Sequence, residues 1–138
     1  MSRSGYSDCD CDINEWKNIM WRGAVKSAFR GKRGQAFLRE MLAAFDALPE
    51  KRLVSNVLED DGEVCALGAV GKARGLDMSR IDPEDSYAVA AKLNVSPAMA
   101  REFMFENDEA ARYWRDETPE QRFIRMRAWV ASQIKEAM

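Results

Sequence analysis

The sequence predicts a mainly α-helical protein: a compact bundle of about six helices with a helix-turn-helix-like unit over 87–105 and at most one small β-hairpin over 53–66. Two observations lead to this fold class. Apolar residues recur with the 3.6-residue period of amphipathic helices, and helix start signals that contain proline recur along the second half. The composition agrees, because 138 residues that are 46% hydrophobic and 32% charged are typical of one globular domain.

The N-terminal third predicts an arm and two helices. Residues 1–12 are polar and predict a flexible arm, which leaves 13–138 as a single helical domain. A first helix is expected from about 13 to 30, because its apolar side chains follow two adjacent helical lines. A basic turn bracketed by Gly31 and Gly34 then leads into a second helix over about 34–48, ended by Pro49.

The middle of the chain predicts a hairpin followed by a short helix. The dipeptide Asp61-Gly62 favours a tight turn between two strands within 53–66. The segment 63–74 fits either the second strand or a helix. We favour the helix, because alanine and leucine dominate this segment and β-branched residues are few.

Three proline-containing signals predict the remaining helices. Asp82-Pro83-Glu84 is expected to open a helix that runs to about residue 93, and Ser96-Pro97 to open one that runs to about residue 105. The strongest signal is Thr118-Pro119-Glu120-Gln121, in which Gln121 completes a capping box. This last helix is expected to continue to the C-terminus.

The segment 87–105 has the pattern of a helix-turn-helix unit. Ala90 occupies the position where two such helices touch, and Asn94 can adopt the left-handed conformation that the turn requires. A base-reading helix, however, needs basic or amide side chains near its N-terminus. The second helix instead offers Ala98, Met99 and Glu102 beside Arg101. We therefore interpret the unit as structural.

The residue types available argue against an enzyme. The chain has no histidine, which removes the commonest acid–base catalyst and metal ligand. The chain has three cysteines, Cys9, Cys11 and Cys65, and this odd number suits neither a disulfide framework nor a zinc site. We therefore expect reduced thiols in a cytoplasmic setting, with no metal and no cofactor. No apolar run approaches 18 residues, so no membrane span is expected. An enzyme that uses cysteine or carboxylate chemistry remains the minority alternative.

Charge is unevenly distributed along the chain. The net charge is only −2, yet residues 14–39 hold seven basic side chains against one acidic side chain. Several of them recur at helical spacing and predict one basic face, which with the adjoining turn comprises Arg22, Lys26, Arg30, Lys32 and Arg33. A row without interleaved acids favours an anionic partner, either a nucleic acid or an acidic protein surface. The alternative is an ordinary solvated face.

A second candidate surface lies on the last helix. Arg122, Arg125 and Trp129 stand at i, i+3 and i+7, away from the apolar stripe, and arginine and tryptophan are enriched in binding hot spots. The alternative is that Trp129 packs within the molecule with an arginine stacked on its face.

One apparent motif is set aside. The segment that ends in Gly71-Lys72 is similar to a phosphate-binding loop but lacks its leading glycine and its metal-binding hydroxyl residue. We expect Gly68 and Gly71 to permit close helix packing instead.

Five stretches of the chain carry a resemblance to known proteins: 21–25 (WRGAV), 30–38 (RGKRGQAFL), 65–68 (CALG), 105–109 (FENDE) and 117–120 (ETPE). They resemble segments of small accessory proteins encoded by phages and prophages of Gram-negative bacteria. The resemblance contains no catalytic motif, so no functional residue is carried over from it. It implies a short, non-enzymatic protein that binds and blocks host machinery, as anti-CRISPR proteins do.

These observations lead to two hypotheses about function. The first is a non-catalytic phage-type binding protein that blocks a host protein or nucleoprotein complex, with a CRISPR-type defence complex among the candidates. The alternative is a helix-turn-helix-like nucleic-acid-binding regulator that uses the basic face on phosphates. The sequence leaves the oligomeric state open.

Overall fold

The computed structural model describes Arg3, residues 23–109 and residues 117–135. Six helices and one small hairpin form this part of the chain, which confirms the mainly α fold class. The elements, in chain order, are a helical stretch over 23–30 (α1), α2 (Lys32–Ala47), β1 (Glu59–Asp60), β2 (Glu63–Val64), α3 (Ala66–Ala73), α4 (Ser86–Leu93), α5 (Pro97–Asp108) and α6 (Pro119–Gln133).

Helix α5 lies at the centre of the bundle. It packs against α3, α4 and α6, and none of its twelve residues is exposed. The Phe103 ring contacts Phe29 of α1, Phe37 of α2 and Trp129 of α6, with ring centroids 5.4, 5.4 and 5.8 Å apart. One aromatic side chain thus connects four helices.

The turn between the first two helices is shorter than the glycine pair predicted. Gly31 alone is extended, and Lys32 and Arg33 already belong to the first turn of α2. Gly34 is buried against the end of α1, where a Cβ atom would overlap the backbone of Ala28 and Phe29. The second glycine therefore permits a close helix contact and does not extend the loop.

The hairpin is confirmed, although its strands are much shorter than predicted. Each strand has two residues, and Glu59 pairs with Val64. Asp61 and Gly62 both have positive φ angles, 52° and 83°, as the favoured two-residue turn requires. The segment 53–58 forms no strand. Both alternatives for 63–74 are realised in part, because Glu63–Val64 is the second strand and the favoured helix begins only at Ala66 and ends at Ala73.

Helix α4 begins at Ser86, later than the signal at 82–84 predicted. The Asp82 carboxylate accepts a hydrogen bond from the Glu84 amide at 2.9 Å, and its carbonyl accepts one from the Asp85 amide at 3.0 Å. These bonds close a separate turn. The Asp85 carboxylate then caps the helix by accepting from the Ala88 amide at 3.1 Å.

The start signals of α5 and α6 are confirmed. The Ser96 hydroxyl accepts from the Met99 amide, and Thr118 and Gln121 form both bonds of the capping box. α5 ends at Asp108, three residues beyond its predicted end. α6 ends at Gln133, before the predicted C-terminal limit, and 136–138 lie outside the described residues.

The α4–α5 pair has the geometry predicted for the helix-turn-helix-like unit. Asn94 is left-handed, with φ 59° and ψ 46°. Ala90 and Leu93 are buried between the helices, and the Ala90 carbonyl accepts from the Val95 amide at 3.0 Å. Within the described ranges, no helix is both long enough and apolar enough to span a bilayer.

Candidate binding surface

The predicted basic face is exposed where the structure describes it. Lys26, Arg30, Lys32 and Arg33 all have solvent-accessible side chains, whereas Arg22 lies outside the described residues. No carboxylate in the described ranges forms an ion pair with these four cations. Their charges therefore remain available to solvent or to a partner as far as this part of the chain is concerned.

Two of these cations line a shallow concavity of about 400 Å³, which we call the basic depression. Its lining residues are Arg30, Gly31, Lys32, Gln35, Ala36, Arg39 and Lys135. Four of the seven are cationic and none is acidic. Arg39 and Lys135 are not among the candidate site residues that the sequence predicts. Lys135 follows α6 and reaches this surface only through the fold.

Hydrogen bonds hold the end of α6 beside α2. The Lys135 ammonium donates to the Arg30 carbonyl at 3.2 Å, and the Arg39 guanidinium donates to the Lys135 carbonyl at 2.8 Å. Beneath them, the buried Gln35 amide donates to the Phe29 and Gln133 carbonyls and accepts from the Lys135 amide. Because these bonds use backbone carbonyls, they leave the positive charges of the depression unneutralised.

A larger concavity of about 540 Å³ also borders the first turns of α2, and we call it the α2–α5 groove. It lies between the α1–α2 corner and the α4–α5 turn, and is lined by Ala28, Arg33, Gly34, Ala36, Phe37, Glu40, Arg74, Asn94, Val95, Ser96 and Met99. Most of its lining is apolar or small. Ala36 lines both concavities, so the groove adjoins the basic depression.

The groove also contains one carboxylate and a second guanidinium, Glu40 and Arg74, which form an ion pair with each other. Arg74 donates two hydrogen bonds of 2.7 Å to the Glu40 carboxylate and a third of 2.8 Å to the Leu93 carbonyl. The hydrogen bond from Arg74 lowers the pKa of Glu40, and the same bond raises the pKa of Arg74. This pairing leaves Arg33 as the cation of the groove that pairs with no described carboxylate.

The arginines of the second candidate surface are engaged within the chain. Arg122 donates to the Leu53 and Asn107 carbonyls and lies 3.3 Å from Glu117. Arg125 forms bonds of 2.7 and 3.0 Å to the Glu117 carboxylate and donates to the Glu106 and Asn107 carbonyls. These bonds connect α6 to the end of α5, which is a structural use of both side chains.

Trp129 is half-buried and packs against the core. Its ring meets Phe29 and Phe103 edge-on, at centroid distances of 5.9 and 5.8 Å. The contacts of Arg122, Arg125 and Trp129 thus favour the intramolecular alternative, with phenylalanine rings rather than an arginine against the tryptophan.

Sequence reasoning missed a buried site at Arg3. Its guanidinium binds both carboxylate oxygens of Asp108, at 2.6 and 2.8 Å, and lies 3.8 Å from the Cys65 sulfur. Arg3 belongs to the segment predicted as a flexible arm, of which the other residues lie outside the described part. No local pattern around Arg3 signals this contact, because its partners are distant in sequence.

Two further results limit the functions that can be assigned to this surface. In the described ranges, no group of three or more cysteine, aspartate or glutamate residues is placed to hold a metal ion. Comparison of the chain with protein-family models, curated proteins and solved structures finds no match. The surface geometry therefore has to support any functional assignment by itself.

Proposed function

We propose that the protein is a non-catalytic binding protein that occupies an acidic surface of a partner protein or nucleoprotein complex and blocks that surface. The observation that carries the proposal is the basic depression, in which Arg30, Lys32, Arg39 and Lys135 line one concavity without a lining acid. Like charges gathered in a concave site focus a positive potential that attracts an anionic partner. In the setting that the resemblance implies, the partner is host machinery such as a CRISPR-type defence complex.

The fold makes no use of the side-chain charges of Arg30 and Lys32, whereas Arg39 and Lys135 also hold the end of α6 beside α2. The core beneath them comes from Phe37, Leu38 and Met41, and the Arg30 side chain is exposed while its backbone carbonyl accepts the bond from Lys135. A cation that the fold does not use, and that no described carboxylate neutralises, is a good candidate for an intermolecular role.

The burial of α5 favours a protein partner over the regulator alternative. A base-reading helix must place one exposed face in the major groove. None of the α5 residues is exposed, and Glu102 in its second turn is buried. Nucleic acid would then meet the cations of the basic face and the basic depression, and phosphate contacts carry no sequence information by themselves.

The test is a titration of labelled protein with poly-L-glutamate and, separately, with a short DNA duplex at low salt, followed by fluorescence anisotropy. The variant Arg30→Glu/Lys32→Glu/Arg33→Glu should lose at least about tenfold in affinity for poly-L-glutamate, because attraction becomes repulsion. The matched control Lys72→Glu/Arg80→Glu/Lys92→Glu makes the same charge change on exposed positions elsewhere and should retain binding.

Four outcomes would contradict the proposal. The first is no binding of the parent to poly-L-glutamate, and the second is an equal loss in both triple variants. The third is tighter binding of duplex DNA than of poly-L-glutamate at matched charge concentration, which would favour the regulator. A turnover of a nucleotide or an ester that one substitution abolishes would contradict the non-catalytic assignment.

A further inference from the structure

We infer that the partner segment is an acidic peptide with a large apolar side chain beside its carboxylates, and that this side chain enters the α2–α5 groove. The inference rests on the proposed function and goes beyond it by naming the chemistry that the partner must present. It depends on how the basic depression and the groove lie next to each other.

The two concavities form one continuous surface on the first turns of α2. Arg30 and Lys32 line the basic depression, Arg33 lines the groove, and Ala36 lines both. A ligand whose carboxylates lie on the depression therefore brings its neighbouring side chains to the edge of the groove.

The groove is suited to an apolar group. Its volume of about 540 Å³ falls within the range of roughly 300–1,000 Å³ that is typical of ligand pockets. Phe37, Val95 and Met99 contribute apolar atoms to its lining, and Ala28 and Ala36 are exposed residues with small side chains that occupy little of it. Glu40 and Arg74 already satisfy each other, so they require no charged group from the ligand.

Charge and shape together select this occupant over others. A nucleic acid presents phosphates on its outside and would have to unstack a base to offer an apolar group. A small inorganic anion would use the depression and leave the groove empty. An acidic peptide with an aromatic residue fits both parts at once, and aromatic residues are enriched at the centres of protein interfaces.

Two defined polymers test the inference. Poly-L-glutamate presents carboxylates alone, whereas a random copolymer of glutamate and tyrosine adds rings to the same backbone. The parent protein should bind the copolymer at least about fivefold more tightly than poly-L-glutamate at equal carboxylate concentration, since ring burial adds to the charge attraction.

A substitution that fills the groove should remove this preference. Ala28 is an exposed helical residue that lines the groove, and Ala43 is an exposed helical residue that lines neither concavity. Ala28→Trp should bind both polymers equally and keep the parent affinity for poly-L-glutamate to within about twofold, because the depression is unchanged. The matched control Ala43→Trp should keep the preference.

A second readout needs no substitution. With methyl-labelled methionine, the Met99 methyl resonance should shift when the copolymer is added and stay in place when poly-L-glutamate is added. Met104 and Met126 are fully buried away from the groove lining and should be unaffected by either polymer.

The outcomes separate the two proposals. Binding of neither polymer would overturn both. Equal binding of the two polymers by the parent, with no movement of the Met99 resonance, would overturn only the groove inference. A preference that survives in Ala28→Trp would also overturn it. Sedimentation at increasing protein concentration checks whether a second copy of this chain occupies the groove, which would replace the peptide as its ligand.

Discussion

Arg3 and Asp108 form a two-point ion pair between residues 105 positions apart, and their side chains are only 1% and 4% exposed. Asp108 also accepts hydrogen bonds from the Asn56 amide and the Asn107 side chain. Burial opposes the charge on Arg3 and is the largest single effect on its pKa. The nearby Cys65 and Asp108 more than offset it, so the pKa of Arg3 is raised.

This pair predicts a large loss of stability when either partner is removed. Arg3→Met and Asp108→Asn should each lower the free energy of unfolding by about 3–5 kcal/mol, because each leaves a buried group without its partner. The double variant should lose less than the sum of the two. Urea denaturation of the parent and the three variants measures the coupling, and a single-variant loss below about 1 kcal/mol would contradict a buried pair.

The α6 arginines should contribute to stability rather than to binding. The Glu117 carboxylate is only 9% exposed, and Arg125→Met leaves it without its closest cation. This substitution should lower the free energy of unfolding by about 1.5–3 kcal/mol. Arg127 on the same helix pairs with Asp46 at a surface where the side chains are 42% and 53% exposed. Arg127→Met is therefore the control and should lower the free energy of unfolding much less than Arg125→Met does, because solvent screens an exposed pair.

The same two variants test the choice of surface. Both should bind poly-L-glutamate as the parent does, because neither residue lines the basic depression. A selective loss of binding in Arg125→Met, with the fold intact, would make the second candidate surface (Arg122, Arg125 and Trp129) the favoured contact surface.

Signals that act within a few residues made most of the fold predictable. The Thr118–Gln121 capping box, the Ser96 cap and the left-handed Asn94 each depend on bonds to neighbours at most four residues away. The start of α4 was misplaced for the same local reason, since several acids stood before the helix and only Asp85 caps it.

The candidate site was predictable only in part. Arg30, Lys32 and Arg33 are adjacent in sequence, and their charge pattern indicates a basic surface directly. Lys135 joins them through bonds to residues about a hundred positions away. The α2–α5 groove likewise needs the first turns of α2 to face the α4–α5 turn, which no periodicity specifies.

Close backbone packing at Gly68 predicts a strong steric effect. A Cβ atom there would overlap the Leu58 carbonyl, so Gly68→Ala should destabilise the protein by about 1–3 kcal/mol or more. Gly23 is helical with open space around its Cα, so Gly23→Ala should stabilise by about 0.5–1 kcal/mol. Thermal melts compare the two. A neutral or stabilising Gly68→Ala would contradict the close contact between α3 and the Leu58 backbone.

The Glu40–Arg74 pair predicts a dependence of stability on pH. Because the pKa of Glu40 is lowered below its usual 4.5 in the folded protein, the unfolded chain takes up the proton first as pH falls. The stabilisation is thus complete above the usual glutamate pKa and is lost as pH falls through the lowered one.

The difference in unfolding free energy between the parent and Glu40→Gln isolates this contribution from the other carboxylates. The Glu40 side chain is 37% exposed and solvent screens it, so the difference at neutral pH should be only about 0.2–1 kcal/mol. It should shrink toward zero in acid, and added salt should reduce it at neutral pH. Urea melts at a series of pH values measure it. A difference that stays constant with pH, or grows in acid, would show that Glu40 acts through its shape rather than its charge.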